Sequence, residues 1–142
     1  MENEKVLKVI DEVSEVLSLL IELRENGRFR EAIDKIDETL LNYFKCDNNF
    51  IYSVSEEFLV DALRDDKGLS SEQLASLAEV LSEKGNILLE QNNLLESQRI
   101  LKNTLKIYYF LNEDQDFFSF KTMNKMVLIN DKLSKINLKI EI

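Results

Sequence analysis

The chain has no proline and no histidine, and only three glycines and one cysteine among its 142 residues. Without proline and with so little glycine there are few positions for sharp turns or positive φ. That argues against a hairpin-rich sheet protein and for helices joined by short connections. The absence of imidazole excludes Ser-His-Asp and Cys-His pairs, His-bearing zinc sites, and any side chain that ordinarily titrates near neutrality. Cys46 alone cannot make an internal disulfide, a CxxC redox pair or a four-cysteine zinc site. It reads either as a small buried apolar residue or as a free thiol. The longest uninterrupted apolar run, Ile107 to Leu111, is far too short to span a bilayer. No basic stretch followed by an apolar one opens the chain, so neither a secretory signal nor a membrane partner is expected, and a reducing, cytoplasmic setting is.

Basic residues are also in deficit, 18 against 27 acidic ones, for a net charge of −9 that opposes a phosphate backbone. No glycine-rich RNA-binding motif offsets this, so nucleic acid is not an expected partner. The charge is uneven. Residues 1–96 carry 22 acids and 10 bases, residues 97–142 only 5 acids and 8 bases. This describes either two solvated helix faces or two ends that attract each other, within one chain or between two.

Hydrophobic residues make up 44% of the chain and recur at helical spacing, enough to offset chain entropy. Val6, Ile10, Val13, Leu17, Leu20 and Leu23 mark a helix from about Glu4 to Arg24, terminated at Gly27. Ala32, Ile33, Ile36, Leu40 and Phe44 mark a second that starts near Phe29, so short a turn implying an antiparallel hairpin. After a polar break at 45–49, Ser53 and Glu56 form a capping box that opens a short helix from Val54 to about Arg64. Ser70 and Gln73 form another, starting a helix that reaches about Gln91. A further helix follows from Asn93 to about Leu111, and a last one covers about Asp116 to Ile136, with a short tail. These elements predict an all-α single domain over 1–142. Hairpins occupy about 4–44 and 70–111, an insertion 45–69 and a terminal helix about 116–136.

The sequence repeats itself. Residues 12–45 align without gaps on residues 77–110, with Leu23, Glu25, Glu31, Thr39, Leu40 and Tyr43 identical to Leu88, Glu90, Glu96, Thr104, Leu105 and Tyr108. The unit is 34 residues long and ordered helix, tight turn, helix, which is the tetratricopeptide period. Gly27-Arg28-Phe29-Arg30-Glu31-Ala32-Ile33 with Ile36 and Leu40, and Leu81, Gly85, Asn86, Leu88 and Gln91 with Ser97 and Leu101, resemble tetratricopeptide repeats. The departures are Leu20 where Gly is usual, Lys84 where Leu is usual, and no closing proline. The layout is similar to a small uncharacterised family of bacterial two-repeat tetratricopeptide-like proteins. The resemblance implies a short right-handed array of stacked hairpins, with Ala32, Ser97 and Gly85 allowing close helix approach and no catalytic residue. By the same resemblance, the first helix of each repeat lines a concave groove, which nominates Glu15, Ser18, Leu19, Glu22, Ser82, Glu83, Asn86 and Glu90. Glu15, Glu22, Glu83, Asn86 and Glu90 are the expected partner-binding set.

Two repeats cannot bury their apolar faces unaided. The insertion (Phe50, Ile51, Phe58, Leu59) is expected to wedge between the hairpins, and the last helix to cap the second. Phe117, Phe118, Phe120, Met123 and Met126, with Val127 and Leu128, exceed one narrow stripe. They read as a wide buried face or as a self-association surface. The paired carboxylates Glu56-Glu57 and Asp65-Asp66 lack companion ligands, and Asn112 to Asp116 lacks the central Gly and closing Glu of a calcium loop. No cofactor, metal or catalytic residue is expected. The sequence predicts a non-catalytic module that binds a basic or amphipathic protein or peptide. The alternatives are a self-associating homodimer and a peptide or small-molecule sensor with a cavity between the hairpins.

Overall fold

The computed structural model describes residues 2–141 apart from Gln115 and Phe118. Seven α-helices and no strand occur among the described residues. They are α1 (Glu2–Glu25), α2 (Phe29–Phe44), α3 (Asn48–Ser53), α4 (Leu59–Asp65), α5 (Ser71–Glu90), α6 (Leu94–Glu113) and α7 (Phe120–Glu141). Helices α1 and α2 form one antiparallel hairpin and α5 and α6 a second, with α5 packed against both helices of the first. Helix α7 packs on α6. The core runs continuously through the stack, from Val13, Leu20 and Ile36 through Leu74, Leu81 and Leu101 to Ile129, Leu133 and Ile136.

The sequence repeat is physical. Gly27 (φ 71) and its counterpart Asn92 (φ 61) both close their helices in the left-handed conformation. The next amide donates back to Leu23 O at 2.8 Å in one turn and to Leu88 O at 2.9 Å in the other, a Schellman closure. Thr39 and Thr104, also counterparts, each donate a hydroxyl to the carbonyl four residues back. The hairpins differ at one crossing. Gly85 lies against α6, where a Cβ would come within 2.5 Å of Leu101 Cδ2 and 2.7 Å of its Cγ. The buried Ser97 hydroxyl donates to Gly85 O at 2.8 Å across that contact. The first hairpin holds the fully buried Leu20 at the equivalent point.

Ser70 and Gln73 cap α5 reciprocally, as expected. The insertion departs from expectation. Asp47 caps α3 by accepting from Phe50 N at 2.7 Å, so Ser53 ends a helix instead of opening one. A 3₁₀ turn at Glu56–Phe58 then leads into α4. Ile51 and Leu59 are buried and Phe50 half-buried, whereas Phe58 stays exposed; α4 and the 3₁₀ turn rest on α6. The last helix also starts later and runs longer than its apolar pattern suggests. Ser119 accepts from Thr122 N at 3.1 Å, which places the N-cap there and Phe117 in the preceding turn.

Cys46 is fully buried behind α2. Burial first, and the Asp47 carboxylate less, push its thiol up to about 11 against the pull of Lys67. A thiol raised on folding stabilises the protein fully below its ordinary range, near 8.5, and that contribution is lost as pH rises toward the folded value. The urea midpoint is therefore expected to fall between about pH 9 and 11, part of that slope disappearing in Cys46→Ala. Native protein at pH 8 is expected to resist thiol reagents until it unfolds.

Candidate functional site

Helices α1, α5 and α7 stand side by side on one face of the stack. A cleft of about 320 Å³ opens between them, lined by Leu17 and Ile21 of α1, Glu79, Ser82 and Glu83 of α5, Tyr108 of α6 and Lys125 of α7. Ile21 is 40% exposed, large for an apolar side chain in a wall. Tyr108 is nearly buried beneath the cleft, and burial, with a smaller push from Glu79, raises its hydroxyl well above the ordinary phenol range.

Polar groups along the α5 side of the cleft are met by cations from both neighbours. Arg24 of α1 donates to Glu83 and, at 3.3 Å, to Glu90. Lys125 of α7 pairs with Glu79 at 2.5 Å, and Lys132 donates to Asn86 Oδ1 at 2.5 Å. The Glu83 hydrogen bond is the main cause that holds the Arg24 guanidinium above its ordinary range. Burial lowers Lys132, against the pull of Glu83. The basic end of the chain thus folds onto its acidic middle, which is the attraction the charge asymmetry allowed, realised within one molecule.

Of the five nominated partner-binding residues, Glu83 lines the cleft, while Asn86 and Glu90 lie along the same helix, held by Lys132 and Arg24. Glu15 and Glu22 are exposed on α1 but do not line the cleft. Glu15 lies toward Tyr43 of α2, whose hydroxyl is raised by its hydrogen bond to Glu12 first and by Glu38 and Glu15 after that. The residues that do line the α1 wall, Leu17 and Ile21, are the repeat counterparts of Ser82 and Asn86. Carrying the α5 groove positions back through the repeat offset finds them in the sequence. Of the nominated self-association set, Phe117 and Met126 pack against the core. Phe120 and Met123 are exposed, and Phe118 lies outside the described residues.

A second polar cluster sits on α5 around Lys84. Lys84 is buried, its Nζ 3.0 Å from Asp37 Oδ1 of α2 and 3.3 Å from Asn48 Oδ1 of α3, and it lies over the Tyr52 ring. Arg99 of α6 also stacks on Tyr52 and donates to its carbonyl oxygen. This cluster ties the insertion to both hairpins. Among the described residues, no group of three or more His, Cys, Asp or Glu side chains is placed to hold a metal ion. No described helix is long and apolar enough to cross a membrane. No family model, curated protein or solved structure matches the chain.

Proposed function

We propose that this chain is a non-catalytic, tetratricopeptide-like interaction module that holds an amphipathic segment of a protein partner in the α1–α5–α7 cleft. The observation that carries the reading is the pairing of apolar surface at Leu17 and Ile21 with polar walls whose charges already neutralise one another. Such a surface gains little from a purely basic ligand. It gains from burying apolar side chains, about 1.5–3 kcal/mol for a fully covered Ile. A partner helix would present anchors at i, i+3 or i+4, and i+7, and the net charge of −9 favours basic residues on its flanks. The 34-residue repeat with matching turn geometry in both hairpins supports the tetratricopeptide-like part of the reading. The proposed setting is the cytoplasm, where a lone buried thiol stays reduced.

Panning a random 16-residue peptide display library on the full chain tests it. Enriched peptides are expected to be amphipathic and to bind Ile21→Glu about tenfold or more weakly. The variant adds an acid, so non-specific attraction of basic peptides would strengthen, and only binding in the cleft weakens. Enriched peptides that bind Ile21→Glu undiminished, or no enrichment at all, would overturn the reading.

A further inference from the structure

The two ends of the helix stack are complementary to each other. At the front end, α1 and α2 flank a groove of about 390 Å³ on Leu19 and Leu23, edged by Glu31, Asp34 and Glu38 with Arg28 and Lys35. Leu19 is 41% exposed. Helix α1 carries seven acids and three bases, and α2 four acids and two bases, so this end has a net charge of −6. At the back end, α7 buries Ile129, Leu133 and Ile136 and leaves Met123, Val127, Leu128 and Leu138 exposed. Of its five lysines, Lys125 is paired with Glu79 and Lys132 is held by Asn86 on α5, which leaves Lys121, Lys135 and Lys139 against Asp131 and Glu141, a net of +1 on the rest of the helix. Exposed apolar surface concentrated on one helix marks an interaction face. Here the matching apolar groove of opposite charge lies on the same molecule, at its far end.

We propose that copies of this chain associate head to tail, the exposed apolar stripe of α7 in one copy entering the α1–α2 groove of the next. Electrostatics selects this arrangement over a symmetric one. Two α7 faces would bring like charge together, whereas α7 on the α1–α2 groove pairs positive with negative. A heterologous contact of this kind leaves one free end on each side and extends beyond a dimer unless it closes into a ring. The cleft between α1, α5 and α7 is a separate surface and remains open in such an assembly.

Light scattering on a sizing column, with wild type, Leu19→Glu and Val127→Glu, decides it. Wild-type mass is expected to rise past the dimer as concentration increases toward about 1 mM, the weak end of specific association, and to fall with added salt. Each variant alone is expected to run as a monomer, because one end is blocked. Mixed in equal amounts they should form a 1:1 dimer and nothing larger, since one intact groove meets one intact stripe. Both positions are exposed, so circular dichroism should match wild type. Leu19→Ser and Val127→Ser carry the same readout if a Glu variant unfolds. A wild type that stays monomeric, a Leu19→Glu variant that still dimerises, or a mixture that stays monomeric while wild type associates would overturn the proposal.

Discussion

Asp37→Ala is expected to lower the unfolding free energy by about 3 kcal/mol, because it leaves a buried ammonium without its carboxylate. Lys84 is 3% exposed in its side chain, and Asp37 lies 3.0 Å away. After truncation the Asn48 side-chain Oδ1 and the neutral Tyr52 side chain are left facing the charge, with no carboxylate in place of Asp37. The reverse change is milder. Lys84→Met keeps the apolar stem and removes the charge, and the Asp37 it leaves behind is 31% exposed and can be hydrated. The double variant Asp37→Ala/Lys84→Met should therefore be more stable than Asp37→Ala alone. Urea unfolding of the four proteins reads this order. An Asp37→Ala variant within about 0.5 kcal/mol of wild type would mean that the ammonium reaches water and the cluster does not hold the insertion in place.

Gly85→Ala should destabilise the protein by about 1–2 kcal/mol, although Ala is the better helix former by about 1 kcal/mol. The new methyl would meet the side chain of Leu101, which is fully buried and must shift within a packed core to make room. Leu101→Ala alone should cost about 2–5 kcal/mol through lost burial and the cavity left behind. In the Leu101→Ala background the same Gly85→Ala change should become neutral or stabilising, because the methyl enters that cavity and the helix propensity gain remains. A sign reversal of this kind is the coupling expected of two residues that share one contact and the cavity it leaves. Additive effects would show that the close approach of α5 and α6 is not limited by this pair.

Much of this architecture was legible because it rests on local chemistry. Gly27 ended α1 and the Ser70–Gln73 box began α5 on sequence grounds alone, and the structure shows both. The small residues at Gly85 and Ser97 signalled a close helix crossing. What was missed depends on tertiary contacts or on phase. Helices as short as α3 and α4 are not stable by propensity; they exist because Ile51 and Leu59 are buried, and Asp47 instead of Ser53 supplies the cap. Phe117 joined the last helix in the pattern because apolar residues on both sides of a turn can mimic one stripe, and Ser119 was not read as a cap. At the cleft, Glu83, of the five partner-binding residues nominated by the repeat resemblance, lines the wall on α5. The α1 wall is formed by Leu17 and Ile21, which the repeat offset pairs with Ser82 and Asn86, and not by Glu15 and Glu22.

Mapping amide shifts decides whether the cleft between α1, α5 and α7 takes a partner segment. A panned amphipathic peptide titrated into ¹⁵N-labelled full chain should shift amides along Leu17 to Arg24, Glu79 to Asn86 and Lys125 to Lys132, with α2 unmoved. Shifts confined to α2, or to the Met123–Leu128 face of α7 alone, would place the binding surface outside the cleft and rule out its role in holding a partner.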